Sequence, residues 1–131
     1  MKCAFFPSAL LLISACDPRV AGEYVVSATA GDDSTSAESA QIAQALAQRH
    51  GMQARSLDSS CELASYEADV SGPDPGPRFL DFCVDPRGPW SVSFSLVEII
   101  ASDWSSKGDS LRHELEDTLQ ARFGNRVKRN P

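Results

Sequence analysis

The sequence predicts an α+β domain: an antiparallel sheet with two helices packed on one of its faces. Three observations predict it. Between Trp90 and Ile100, Trp90, Val92, Phe94 and Leu96 alternate with Ser91, Ser93 and Ser95. That is the period of two of a strand buried on one side and wet on the other. Leu111, Leu115, Leu119 and Phe123 recur every fourth residue, one apolar stripe along a helix. The segments follow one another as strand, helix, three strands and helix, an order that lets two helices bury their apolar faces on a single sheet.

Each element has a local cause. Glu23 to Ala30 reads as a strand, with Tyr24, Val26 and Ala28 on one face and Val25, Ser27 and Thr29 on the other. Gly31-Asp32-Asp33-Ser34 is a turn. Thr35 with Glu38 three residues on has the spacing of a capping box. The helix it would start runs to about His50, with Ile42, Ala45, Leu46 and Arg49 along one side. Its alanines favour helix and let it approach a sheet closely. Gly51 is a left-handed stop. Gln53 to Tyr66 alternates weakly, with Leu57, Cys61 and Leu63 on a shared face, and reads as one strand broken near Asp58-Ser59-Ser60. Ser71 to Pro77 holds three prolines and two glycines and cannot be regular structure. Arg78 to Val84 is a further strand; paired antiparallel with the one before, it brings Cys61 and Cys83 opposite each other or nearly so. Asp85 to Pro89 is a turn. Asp103, Ser105 or Ser106 caps the second helix, and Gly124-Asn125 ends it. Arg126 to Arg129 either adds a short last strand or stays loose. The leucine stripe is expected on the Trp90/Phe94 face. A ferredoxin-like arrangement is the expected topology, although the count exceeds it by one strand.

The first residues carry an address. Lys2 precedes an apolar run of Ala4, Phe5, Phe6 and Ala9 to Ile13, and Ser14 and Ala15 are small. These are the parts of a secretory signal. The run is shorter than the about 20 residues that span a bilayer, and Pro7 interrupts it. Directly after Ile13-Ser14-Ala15 stands Cys16. An aliphatic residue, a small or hydroxyl residue, a Gly/Ala/Ser and a cysteine make a lipobox, and the first sixteen residues resemble the signal peptide of a bacterial lipoprotein. The resemblance implies a diacylglycerol thioether on Cys16, cleavage before it and acylation of the new terminus. Residues 1–15 would then be removed, 16–22 would tether the chain, and 23–131 would form one α+β domain. The bland alternative is a plain signal peptide with Cys16 free or disulfide-bonded. Asp17 after the lipidated cysteine leans towards the inner membrane by the enterobacterial pattern; which membrane holds the chain stays open.

Composition sets bounds. The chain carries a formal net charge of −6. Residues 16–103 hold fourteen Asp/Glu against five Arg, whereas residues 104–131 hold four acids against six Lys/Arg. An acidic body argues against nucleic acid as a partner. The basic end reads as a solvated terminus or a docking patch. With Cys3 lost in the signal and Cys16 lipidated, Cys61 and Cys83 remain as an even pair in an exported chain, and a disulfide is the natural reading. A metal pair would need further Cys or His at ligand spacing, which the sequence lacks.

No catalytic motif is present. His113-Glu114 is followed by Asp117 where a zinc protease needs its second histidine. No serine lies in a Gly-x-Ser-x-Gly elbow. Asp32-Asp33-Ser34 suits a helix start better than calcium. Asp81 and Asp85 read as surface acids. His113 lies off the leucine stripe, and His50 ends a helix, where a cation suits the dipole. No cofactor and no metal are indicated. Two features suit binding: the small polar face of Ser91, Ser93 and Ser95, and the Pro/Gly loop around Asp74. The expected function is therefore a membrane-tethered, non-enzymatic envelope module that binds another envelope protein, immunity or inhibitor types included. The alternative is a small periplasmic enzyme or small-ligand carrier, which would need a pocket holding His50 or His113 beside a carboxylate.

Overall fold

A computed structural model describes residues 19–28, 34–70, 78–100 and 102–130. Its elements are β1 (Arg19–Ser27), α1 (Ser34–Arg49), β2 (Gln53–Ala54), β3 (Ala64–Asp69), β4 (Phe79–Pro86), β5 (Ser91–Ile99), α2 (Ser106–Phe123), a 3-10 turn (Gly124–Arg126) and β6 (Val127–Asn130). The strands form one antiparallel sheet in the order β2-β3-β4-β5-β1-β6. The fold class is α+β, as the patterning predicts.

The alternation in β5 places it near the middle. Val92, Phe94 and Leu96 are buried, and the serines between them face the other way, half-buried. On the same side lie Leu80, Phe82 and Val84 of β4, Tyr24 and Val26 of β1, and Ala64 and Ala68 of β3. Phe82 sits 6.4 Å from Phe94 and 6.3 Å from Tyr66, centroid to centroid. Both helices cover this face. α1 packs over β3, β4 and β5, and α2 over β1 and β6. Leu111, Leu115, Leu119 and Phe123 are all buried, so the stripe lies where its spacing puts it. α2 links β5 to β6 with β1 between them, a split βαβ connection. The β2–β3 pair extends the sheet beyond β4.

Several boundaries differ from the sequence reading, each for a physical reason. β1 starts at Arg19, not Glu23, so Arg19–Gly22 belong to the sheet and not to a tether. Nine successive pairs with β5, from Arg19↔Ile99 to Ser27↔Ser91, hold this stretch where side-chain alternation is weak. The stretch 53–66 is two strands. Asp58 accepts hydrogen bonds from the Ser60 N–H at 2.8 Å and the Cys61 N–H at 3.0 Å, and this side-chain turn reverses the chain. Trp90 lies outside β5, in the turn after β4, and is 51% exposed, so it does not share the Phe94 face. In α1 the buried residues are Thr35, Ser39, Ala43, Leu46 and Ala47; Ala45 is exposed. Small residues thus seat the helix on the sheet. Thr35 lies inside the helix with its hydroxyl buried, and Glu38 binds Arg122 at 2.9 Å, so no capping box forms. Gly51, at φ +65°, ends α1 as predicted, and β6 forms.

One polar group lies within the apolar side of the sheet. Glu98 is 0% exposed. Its carboxylate accepts from Arg78 at 2.7 Å, from the Ser105 backbone N–H at 2.9 Å and from the Ser105 hydroxyl. Ser105 is in turn the N-cap of α2, accepting from the Gly108 N–H at 3.0 Å. An anion at this end also suits the positive end of the helix dipole. β4, β5 and α2 therefore meet at one carboxylate. Gly108 makes the approach possible: a Cβ there would lie 2.5 Å from Glu98 Oε1 and 3.0 Å from the Trp104 ring.

Gly108→Ala should therefore destabilise the fold, although alanine is favoured over glycine by about 1 kcal/mol in an open helix. Urea unfolding reads the sign, and a stabilised variant would contradict the packing. Leu115→Ala should cost about 2–5 kcal/mol in the same assay.

Candidate functional site

Among the described residues no helix covers the other face of the sheet, and this is where the serines lie. They are part of a polar lattice. Glu23 on β1 is its hub. Glu23 Oε1 accepts from Ser93 Oγ at 2.8 Å and from Arg87 at 2.7 Å, and Oε2 accepts from Asn130 of β6 at 2.9 Å. The Asn130 and Ser93 hydrogen bonds hold the Glu23 carboxyl below its ordinary value, with Arg87 helping and burial opposing. Ser91 donates its hydroxyl to the Arg87 carbonyl. Ser95 stands in register between Cys83 and Glu23. Ser91, Ser93 and Ser95 thus share one face of β5. Asp74 and Cys16 lie outside the described residues.

The disulfide joins Cys61 to Cys83, with 5.5 Å between Cα atoms. Cys83 stands opposite Ser65, not opposite Cys61. Cys61 reaches it from the loop before β3. Asp85 Oδ1 accepts from the Glu62 N–H at 3.0 Å, which pins the same loop over β4. A bridge closing a loop of 22 residues contributes roughly 3 kcal/mol in the chain-entropy model.

Towards the β1 start, this face turns apolar. Phe79, Ile99 and Val97 follow the serines, and Ile100 continues beyond β5. Asp81 lies beside them with Arg55 at 3.3 Å. Burial pushes the Asp81 carboxyl up, Arg55 opposes this and Glu67 adds to it. A cavity of about 320 Å³ opens at this end, lined by Gln53, Glu67, Asp69, Phe79 and Lys107 among others.

The histidines lie elsewhere. His50 Nε2 is 2.5 Å from Glu114 Oε2, and Arg49 binds the other oxygen of the same carboxylate, so this cluster ties the end of α1 to α2. His113 is exposed and contacts the Asp109 carbonyl at 2.9 Å. Neither histidine lines the cavity. The arginines near the end of the chain are engaged within the fold. Arg122 binds Glu38, Arg129 lies over the Tyr24 ring with Glu116 at 3.9 Å, and Arg126 lies over Phe123. Among the described residues, no three His, Cys, Asp or Glu side chains cluster so as to hold a metal ion, and no helix is long and apolar enough to cross a membrane.

Two groups escaped the sequence reading. Glu98 is one; its signal was a charge on the apolar parity of β5, with Ser105 seven residues ahead. Glu23 is the other, and nothing in its local sequence marks it as a hub. No family model matches the chain, and no curated protein or solved structure matches it significantly.

The lowered Glu23 value fixes a sign. The unfolded chain takes up the proton near the ordinary value of 4.5 and the folded chain only below it. The carboxylate therefore contributes stability above that pH, and the contribution is lost on acidification through the folded value. Glu23→Gln should flatten the acid limb of a stability-against-pH curve, measured by thermal unfolding from pH 7 downwards. An unchanged limb would show that the lattice is not formed.

Proposed function

We propose that the chain is a lipid-anchored protein of the bacterial envelope, facing the periplasm, whose domain binds another envelope protein and performs no catalysis. An immunity or inhibitor role fits this reading. The observation that carries it is Ile13-Ser14-Ala15-Cys16 after a short apolar run. The Cys61–Cys83 bridge supports it, because such bridges persist in oxidising compartments.

The surface chemistry favours the face of the sheet over its edges for a protein partner. β2 is two residues long, and β6 carries Lys128 and Arg129, both poor templates for strand addition. The face of Ser91, Ser93 and Ser95 is broad and half-buried. A carrier or enzyme would need convergent groups in a concavity, and the cavity at the sheet end has neither histidine in its lining.

Two measurements test the proposal. Cys16→Ala should abolish membrane fractionation and leave an unprocessed precursor, and the wild-type terminus should carry acyl chains by mass spectrometry; an unacylated terminus overturns the anchor. A photo-crosslinking residue at Ser95 should give one discrete adduct in the intact envelope, and one at Gln120 on the exposed side of α2 should not. Equal adducts from both positions overturn the choice of face.

A further inference from the structure

We propose that the end of the sheet where β1 begins is a second membrane contact, with Phe79, Ile99 and Ile100 resting in the interfacial layer of the bilayer that holds Cys16. The inference rests on the lipid attachment proposed above and adds an orientation to it.

The length of chain before the sheet is the first argument. Only Asp17 and Pro18 separate Cys16 from Arg19, the first residue of β1. Three residue steps span at most about 11 Å when fully extended. A lipid-bearing Cys16 therefore holds Arg19 close to the bilayer surface. Arg19 pairs with Ile99, and Ile99 pairs with Phe79. Neighbouring strands are about 4.8 Å apart, so Phe79 lies about 10 Å from Arg19 along the same row. The whole row is within reach of the bilayer.

What this row exposes is the second argument. Phe79 is 39% exposed and Ile100 46% exposed, two of the four exposed large apolar residues among those described. Ile100 also has φ +62°, a left-handed backbone that a β-branched residue adopts only at a cost. The chain thus carries backbone strain at an exposed apolar side chain beside the anchor. Lys107 shares the cavity at this end with Phe79, and its stem can lie along apolar surface with the ammonium among headgroups. Asp69 and Asp103 stand at the same end and limit the contact to a shallow one. Trp90 stands just beyond the opposite end of β5, whose eight residue steps from Ser91 to Ile99 span about 26 Å.

The test uses the processed lipoprotein in phosphatidylethanolamine–phosphatidylglycerol vesicles, with and without brominated acyl chains. Phe79→Trp and Ile100→Trp are made separately, and each is checked for helix content by circular dichroism and for an intact Cys61–Cys83 bridge. The wild-type chain, with Trp90 far from the row and Trp104 half-buried, supplies the baseline emission. The emission added by either variant should be lost in brominated vesicles while the Trp90 contribution persists. A folded variant that floats with the vesicles but keeps its added emission overturns the membrane contact and leaves the anchor standing; a protein covering this end would give that result. A wild-type chain that does not float with vesicles overturns the anchor itself.

Discussion

The position of α2 on the sheet depends on one buried carboxylate. Glu98 lies on the apolar side of β5 with no exposure, where an unsatisfied charge would cost several kcal/mol. It is satisfied from two directions, by Arg78 immediately before β4 and by Ser105, the N-cap of α2. Both donors must be present at once, so the carboxylate sets where α2 begins relative to two strands. The leucine stripe then descends onto the sheet in one register, and the helix exits where β6 can pair with β1. Apolar packing alone would not fix that register, because Leu111, Leu115 and Leu119 are interchangeable in shape. Gly108 belongs to the same constraint, since any side chain there would occupy the carboxylate's place.

The uncovered face is organised by a second carboxylate, and the two differ in kind. Glu98 is dry and pins elements that are distant in sequence. Glu23 is part-exposed and links β1, β5, β6 and the turn after β4 through hydrogen bonds that water can replace. Such a lattice contributes less to stability than a buried network and more to the shape of a surface. It holds Ser93 and Asn130 in fixed orientations and leaves Ser95 and Val25 between them. Across the same face the Asp58 turn and the disulfide lay a loop over β3 and β4. The flat part that remains is carried by β5, β1 and β6.

Much of this architecture was legible in the sequence. The alternation of Val92, Phe94 and Leu96, and the four-residue recurrence of Leu111 to Phe123, are strong periodic signals, and both elements form with those residues buried. The cysteine pair was legible from its parity. The failures have a common origin in tertiary context. Arg19–Gly22 has no alternation of its own and becomes strand because β5 offers nine partners. The break near Asp58 was legible, but its extent was not: the chain leaves the sheet after Ala54 and returns only at Ala64, held between by the Asp58 turn. In α1 the expected side ran through Ile42, Ala45, Leu46 and Arg49; Leu46 is buried and Ile42 packs against the core, but Ala45 is exposed, and the small Ser39 and Ala43 join Leu46 on the inner side. Glu98 broke the apolar parity of its own strand, and its meaning depended on a serine in a different element.

The early start of β1 bears on function as well as on fold. Under the proposed anchoring, a seven-residue tether would leave the domain free to tumble above the membrane and would give no face a preferred exposure. With Arg19 already paired to Ile99, only Asp17 and Pro18 stand between the sheet and Cys16 in the sequence. The sheet then stands with the β1 start towards the bilayer and the Trp90 turn away from it, about 26 Å higher along β5. In that orientation the helices close one side, and Ser91, Ser93 and Ser95 face sideways, towards proteins in the same envelope layer. A partner arriving laterally would meet Ser95 and Ser93 first, and the Asp58 loop would border its footprint on the β3 side. Under the proposed anchoring, the short link would present one face of the sheet to its neighbours.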